Sequence, residues 1–261
     1  MLLFFDIDGT IFDDNRCLPD SVLPAMEAAH RNGHRIIINT GRTLCNMDHR
    51  LDEFPLDGWI MGCGIRIIFH GETFQSMEYS PEQSQRLRKG LLKMKIPVVW
   101  ECDTAMYFES DGPEHPSVSG FREFAEKQGI CRFVKDDDPE FRAVKMFCFT
   151  DGKGIEQIEK MAAEAGMPYS SINRWTDGWE LVPAGYSKGK GIDILREKLG
   201  VSRAECYAFG DSRNDLTMFE HAGYSIAMGN ATEDVKAVCT FVTDRPEDDG
   251  IKKAMKHYGL I

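Results

Sequence analysis

The sequence predicts an α/β protein, a Rossmann-like parallel sheet core interrupted by an inserted α+β segment. Three observations carry this. Toward both ends of the chain, short continuous apolar runs that stop at acidic or polar residues alternate with helical patterns, as in buried parallel strands joined by helices. The middle instead holds alternating or paired strands with amphipathic helices between them. With 261 residues and 42% hydrophobic composition, the chain can bury one large core or two moderate ones.

The first strand is the run 2–7, and a helical pattern over 18–32 follows, closed by Gly33. A second buried strand runs through Ile36, Ile37 and Ile38, then a Thr40-Gly41-Arg42 turn leads into a helix expected to reach Phe54. The middle offers strands at 98–101, 106–109 and 144–150, and a hairpin 172–175/179–182 around Thr176-Asp177-Gly178. Its clearest helix, 154–165, places Ile155, Ile158 and Met161 on one face. From Lys188 the first rhythm returns: a helix carrying Ile192, Leu195 and Leu199, a strand 206–209, a helix 215–221, a strand 224–228 and a closing helix 249–257. This divides the chain into a core, 1–80 plus 185–261, and an inserted domain, 81–184.

Charge removes several functions. There are 42 acidic against 31 basic side chains, a net charge of −11, and no run of Lys or Arg longer than two. Nucleic acid and anionic lipid surfaces, which are bound through basic faces, are therefore not expected partners. No stretch is long and apolar enough to span a bilayer. Asp6 and Asp8 interrupt the apolar start and no basic segment precedes it, so no signal peptide is expected and the protein is placed in the cytoplasm. The eight cysteines show no paired or zinc-like spacing and read as small core hydrophobes. A monomer or weak dimer is expected. The same −11 would also repel an anionic small molecule.

Chemistry concentrates at the predicted strand ends. Asp6-Ile7-Asp8-Gly9-Thr10 closes the first strand, where open α/β sheets form their ligand crevice. Asp211, in Gly210-Asp211-Ser212-Arg213-Asn214-Asp215, follows another apolar strand. Carboxylates from two such ends repel one another unless a hard cation lies between them, and this oxygen set suits Mg²⁺. Asn214 or Asp215 could equally serve as a helix cap. Thr40 and Gly41, after the second strand, form a candidate phosphate cradle or an ordinary N-cap. Lys188 stands in the first turn of a helix, where a cation opposes the helix dipole, so helix stability does not explain it. Gly189-Lys190-Gly191 is not a P-loop, because Ala184 and Gly191 occupy the places of its first Gly and its Ser or Thr.

In this order, Asp-x-Asp-Gly-Thr, Thr-Gly-Arg, Ser-Lys-Gly and Gly-Asp-Ser-x-Asn-Asp, the chain resembles the haloacid dehalogenase (HAD) superfamily of phosphohydrolases. Its tail, Ala227-Met228-Gly229-Asn230-Ala231 through Glu247-Asp248-Asp249-Gly250, is similar to the Cof-type branch. The resemblance implies the HAD fold, with the insert after Arg42 as a type II α+β cap that sets specificity. It implies a Mg²⁺-dependent phosphatase acting on small phosphate monoesters, sugar phosphates foremost. Asp6 would be the nucleophile that forms an aspartyl-phosphate, and Asp8 the general acid and then base. Asp6, the Asp8 backbone carbonyl and Asp211 would hold Mg²⁺, with Asp215 orienting its water. Thr40, Gly41, Lys188 and Asn214 would bind the phosphoryl oxygens.

One departure stands out: Cys63-Gly64-Ile65 replaces the branch's usual Asn-Gly-Ala after the third strand, so a leaving-group contact expected there is in doubt. Arg42 and the cap hairpin residues Asn173, Trp175, Trp179 and Glu180 are candidate leaving-group readers, although both tryptophans could instead anchor the cap sheet. Two other functions fit parts of the pattern. A phosphosugar mutase would need a long-lived aspartyl-phosphate, and a non-catalytic phospho-accepting switch would need neither a cap nor Asp8.

Overall fold

The strand at the centre of the larger sheet carries the Asp6 motif. In the computed structural model, which describes residues 1–174 and 176–261, the chain divides into two units, 1–41 with 48–76 and 186–261, and 42–47 with 77–185.

The first unit begins with β1 (Leu2–Phe5), α1 (Val22–Arg31), β2 (Arg35–Asn39), β3 (Gly58–Met61), β4 (Arg66–Phe69) and β5 (Glu72–Gln75). The second contains α2 (Pro81–Met94), β6 (Val98–Glu101), β7 (Met106–Phe108), α3 (Pro116–Lys127), β8 (Cys131–Phe133), β9 (Lys145–Phe149), α4 (Gly152–Glu164), β10 (Tyr169–Asn173) and β11 (Gly178–Pro183). The chain then returns to the first unit through α5 (Lys188–Leu199), β12 (Cys206–Gly210), α6 (Leu216–His221), β13 (Tyr224–Ala227), α7 (Glu233–Lys236), β14 (Phe241–Val242) and α8 (Gly250–His257).

The core sheet has the order β14-β13-β12-β1-β2-β3-β4-β5. It is parallel from β14 to β3, and β3, β4 and β5 continue it antiparallel. Phe5 is level with Phe209 on one side and Ile38 on the other, so three parallel strands end side by side at Asp6, Asp211 and Thr40. Each is buried on both faces, which explains their unbroken apolar runs. Leu2, Phe4, Ile37, Ile60, Ile192, Leu195 and Ala208 form the core beneath α5 and α6.

The cap sheet, β10-β11-β9-β6-β7-β8, is antiparallel except for β7 against β8. One core cluster joins its Trp100, Met146, Cys148 and Leu181 to Leu87 and Leu91 of α2 and Ile155 and Ile158 of α4. A second joins Val99, Phe108, Phe147 and Phe149 to Ala125 of α3. Helix α2 starts in a full capping box, Ser80 with Gln83, and Pro81 opens its first turn.

Two sequence expectations change, and one hairpin has no counterpart among them. Residues 42–54 form no continuous helix but two short 3₁₀ turns, Leu44–Asn46 and His49–Glu53. The apolar spacing there serves two masters: Cys45 packs with the second unit's Val99–Phe147 cluster, whereas Leu51 is buried in the first unit. For the same reason 42–47 fall in the cap's unit, not in the 1–80 segment, and the unit's other limits lie at 77 and 185. The β4–β5 hairpin was not anticipated. Its signal was His70-Gly71, both with positive φ (47° and 80°), the pairing that a two-residue hairpin turn demands.

All eight cysteines are free thiols; Cys63, Cys102, Cys148 and Cys206 are buried, while Cys17 is exposed. Among the described residues no helix is long and apolar enough to cross a membrane.

Candidate active site

The C-terminal ends of β1 and β12 bring acids together around one lysine. Asp6 leaves β1 with its amide bonded to the Phe209 carbonyl at 3.0 Å, so its position is fixed by the sheet itself. Lys188, at the start of α5, is completely buried and sends Nζ to Asp6 Oδ1 at 2.7 Å and Asp215 Oδ1 at 2.6 Å. Its helix is held in place from two sides. Ser187 caps it by accepting from the Lys190 amide, and Asn39 at the end of β2 donates Nδ2 to the Lys188 carbonyl at 3.0 Å.

Asp215 spends its second oxygen on the backbone: Oδ2 accepts from the Asp211 and Ser212 amides, each at 2.9 Å. Both its oxygens thus have protein donors, and it shapes the turn that presents Asp211. Thr10 Oγ1 donates to Asp211 Oδ1 at 3.1 Å, tying the first strand's loop to the second acid. Gly9 is required at this closure. Its φ is +79°, and a Cβ there would stand 2.4 Å from Asp211 Oδ2.

Carboxylate oxygens of Asp6, Asp211 and Asp215 lie within 4.8 Å of one another. With all three ionised and Lys188 charged, the cluster carries −2. The cost of burying these charges shifts the protonation of the acids. Burial pushes the Asp6 carboxyl up to about 7, Lys188 opposes this, and the charge of Asp215 adds to it. Burial, then the charges of Asp215 and Asp6, push Asp211 well above the ordinary carboxylate range. Burial acts to lower the Lys188 ammonium, but the attraction of Asp215 and Asp6 outweighs it and raises it. Hard oxygen donors with an uncompensated double charge fit a divalent cation, with Asp6 and Asp211 the acids whose oxygens are not already committed to backbone amides.

The remaining predicted residues divide. Asp8 is exposed and Thr40 is buried at the end of β2. Asn214 is buried, its Oδ1 accepting from the Ser212 hydroxyl at 2.9 Å, which turns its NH₂ away from Ser212. Gly41 closes a segment of the first unit and Arg42 opens one of the second. The Cys63-Gly64 turn after β3 lies against the lysine helix: a Cβ on Gly64 would meet the Ser187 carbonyl at 2.3 Å, and the Cys63 amide bonds to the Thr40 carbonyl. It supports Lys188 and Thr40, a role with no signature in the residue pattern.

In the cap, Glu180 on β11 is buried and accepts from Lys145 Nζ on β9 at 2.6 Å; Arg174 Nη1 stands 3.7 Å away. Lys145 also pairs with Glu101 on β6 at 2.6 Å. The register sets Lys145 level with Glu101, so a charged row crosses three adjacent strands on one face. Burial raises the Glu101 carboxyl, while Lys145 and, more weakly, Arg42 act to lower it. Neither Lys145 nor Glu101 is among the sequence candidates: in the sequence each is a lone charge in or at the end of a short apolar run. Asn173 is half-buried opposite Trp179 on the hairpin. Trp179 packs on the cap core and donates Nε1 to the Thr150 carbonyl at 3.1 Å, the position of a packing anchor. Trp175 lies outside the described residues.

A family model described as haloacid dehalogenase-like hydrolase matches residues 3–255. The chain is 32% identical over 267 residues to a Bacillus subtilis (strain 168) protein named "Putative phosphatase YkrA", covering 100% of this chain and 98% of that one. It is 28% identical over 255 residues to the HMP-PP phosphatase of Klebsiella pneumoniae (strain 342), covering 90% and 86%. Among solved structures it is similar to the HAD subclass IIB sugar phosphatase BT4131, with a TM-score of 0.82, 28% identity and coverage of 100% and 99%.

Proposed function

The chain belongs to the haloacid dehalogenase-like hydrolases and is a phosphoric monoester hydrolase, and from that premise we propose that it cleaves small sugar phosphates with Mg²⁺ through an aspartyl-phosphate. The observation that carries the reading is the buried Asp6–Lys188–Asp215 chain beside Asp211 at the ends of β1 and β12.

Asp6 attacks phosphorus, and its fixed backbone and its bond to Lys188 hold one carboxylate oxygen aside so that the other faces the ester. Lys188, Thr40, Gly41 and Asn214 stabilise the phosphoryl oxygens as charge moves among them. Asp8, exposed on the loop after β1, protonates the departing alcohol and then takes a proton from the water that hydrolyses the aspartyl-phosphate. Asp6, the Asp8 carbonyl and Asp211 would hold Mg²⁺, which when bound neutralises the site's double charge and lets a phosphate dianion approach.

A hydroxyl-rich leaving group is favoured by the cap's charged row. Glu180, Glu101, Lys145 and Arg174, with Arg42, offer both acceptors and charged donors, the set that reads sugar hydroxyls, rather than a flat apolar platform for a heteroaromatic ring. The sugar phosphatase named above supports the same class. The test is a panel of phosphate esters assayed with Mg²⁺, with Asp6→Asn as the blank. Sugar phosphates should lead the panel; a best substrate with a heteroaromatic leaving group would overturn the sugar reading, and an active Asp6→Asn the mechanism.

A further inference from the structure

The tail motifs 227–231 and 244–250 have no part in the chemistry above, yet they reach the catalytic loop. Asn230, just beyond β13, donates Nδ2 to the Gly9 carbonyl at 3.0 Å and to Asp14 Oδ1 at 3.2 Å. Both partners are acceptors, so the NH₂ end must face them. The other oxygen of Asp14 accepts from Arg245 Nη2 at 2.7 Å, and Arg245 Nε is in turn held by Glu247 at 2.6 Å. The Gly229 amide bonds to the Asp244 carbonyl at 3.0 Å, so the residues preceding Asn230 and Arg245 are locked together. A strap formed by the segments after β13 and β14 therefore grips the loop 8–14 near both its ends.

At one end the grip falls at one particular place, the carbonyl of Gly9. The loop's inner turn is fixed by Thr10, Ile11 and Phe12, whose amides all point to the Ile7 carbonyl. Asp8 is exposed, and the residue after it is a glycine at positive φ, a pivot with more conformational freedom than any other residue would give. Asn230 holds the carbonyl of that pivot. We infer that Asn230, with Arg245 acting through Asp14, is a positioning residue that sets where the Asp8 carboxyl meets the leaving-group oxygen. This rests on the reading of Asp8 as the general acid.

The experiment separates the two. kcat/KM reports the step in which the leaving group departs. It is measured with p-nitrophenyl phosphate, whose leaving group needs no proton, and with the best sugar phosphate of the panel, whose alkoxide does. Asn230→Ala should lower kcat/KM for the sugar phosphate by about 10- to 100-fold and that for p-nitrophenyl phosphate by less than about threefold, a smaller form of the Asp8→Ala pattern. Should Asn230→Ala fail to fold, judged by its thermal unfolding midpoint, Arg245→Ala carries the same test, and Arg245→Lys should recover most of the loss. Equal losses on both substrates for the Asn230 or Arg245 variants, or none, beside a selective loss for Asp8→Ala, overturn the positioning role alone. Equal losses for Asp8→Ala overturn the acid assignment and the positioning role with it.

Discussion

Lys188 is the residue on which the site's charge balance turns. Removing it leaves Asp6 and Asp215 buried without their shared cation, so Lys188→Met should destabilise the metal-free protein by about 3–5 kcal/mol. Mg²⁺ should return part of that loss, and should raise the variant's melting temperature more than the wild type's. Equal shifts in the two proteins would show that the cation does not answer this charge. Protons compete for the same oxygens. Because the Asp6 carboxyl titrates at about 7 in the metal-free protein, it is ionised above that pH and protonated below it. Mg²⁺ affinity should therefore weaken about tenfold between pH 8 and pH 6. Calorimetric titration at the two pH values checks this, and an unchanged affinity would remove Asp6 from the ligand set. The acids are legible in the sequence because they interrupt or closely follow apolar runs at predicted strand ends, and the lysine because a cation in the first turn of a helix opposes its dipole. These are places where folding alone has no use for a charge. Lys145 and Glu101 are not legible, because only the pairing of β6 with β9 sets them side by side.

At the level of the elements, α5 and α6 act as one piece. Lys188 heads the first, Asp215 precedes the second, and the Gly189 amide bonds to Thr217 Oγ1 at 3.2 Å. Farther along, Asp193 accepts from Arg196 Nε at 2.8 Å and lies 2.6 Å from His221 Nδ1 across the two helices. Partial burial acts to raise Asp193, but these hydrogen bonds outweigh it and hold the carboxyl below its ordinary value. A depressed carboxyl adds stability above its unfolded value of about 3.9, and the gain is lost as pH falls through the lower folded value. The pair is partly exposed, so Asp193→Asn should cost below about 1 kcal/mol at pH 7 and nothing near pH 2. Urea midpoints at the two pH values measure it; a cost that persists at pH 2 would mean the side chain acts by packing. The element that the sequence misjudged was the expected helix to Phe54. Periodicity sees one apolar stripe there and has no way to tell that its members are buried in different units.

Across the whole molecule the net charge of −11 and an anionic substrate are reconciled only at the site. A phosphate dianion approaching the metal-free cluster meets like charge, whereas a bound divalent cation cancels it. Inorganic phosphate should bind measurably with Mg²⁺ and lose most of that affinity when the cation is chelated. Phosphate affinity that survives chelation unchanged would show that the cation does not supply the balancing charge.

The sheet order has a further consequence for how the protein is made. β1 pairs with β12 through Leu2 and Cys206, and the lysine facing Asp6 is Lys188. Asp6, the proposed nucleophile, thus leaves the ribosome early, while the strand and the countercharge that fix it are synthesised only after the entire cap. Until then the most apolar strand of the core has an unpaired edge, and contacts this distant in sequence form slowly. The cap, whose own contacts lie within 42–47 and 77–185, can finish folding in that interval. Catalytic competence should therefore appear in a single late step, and fragments that stop before β12 should fold a cap without acquiring any phosphatase.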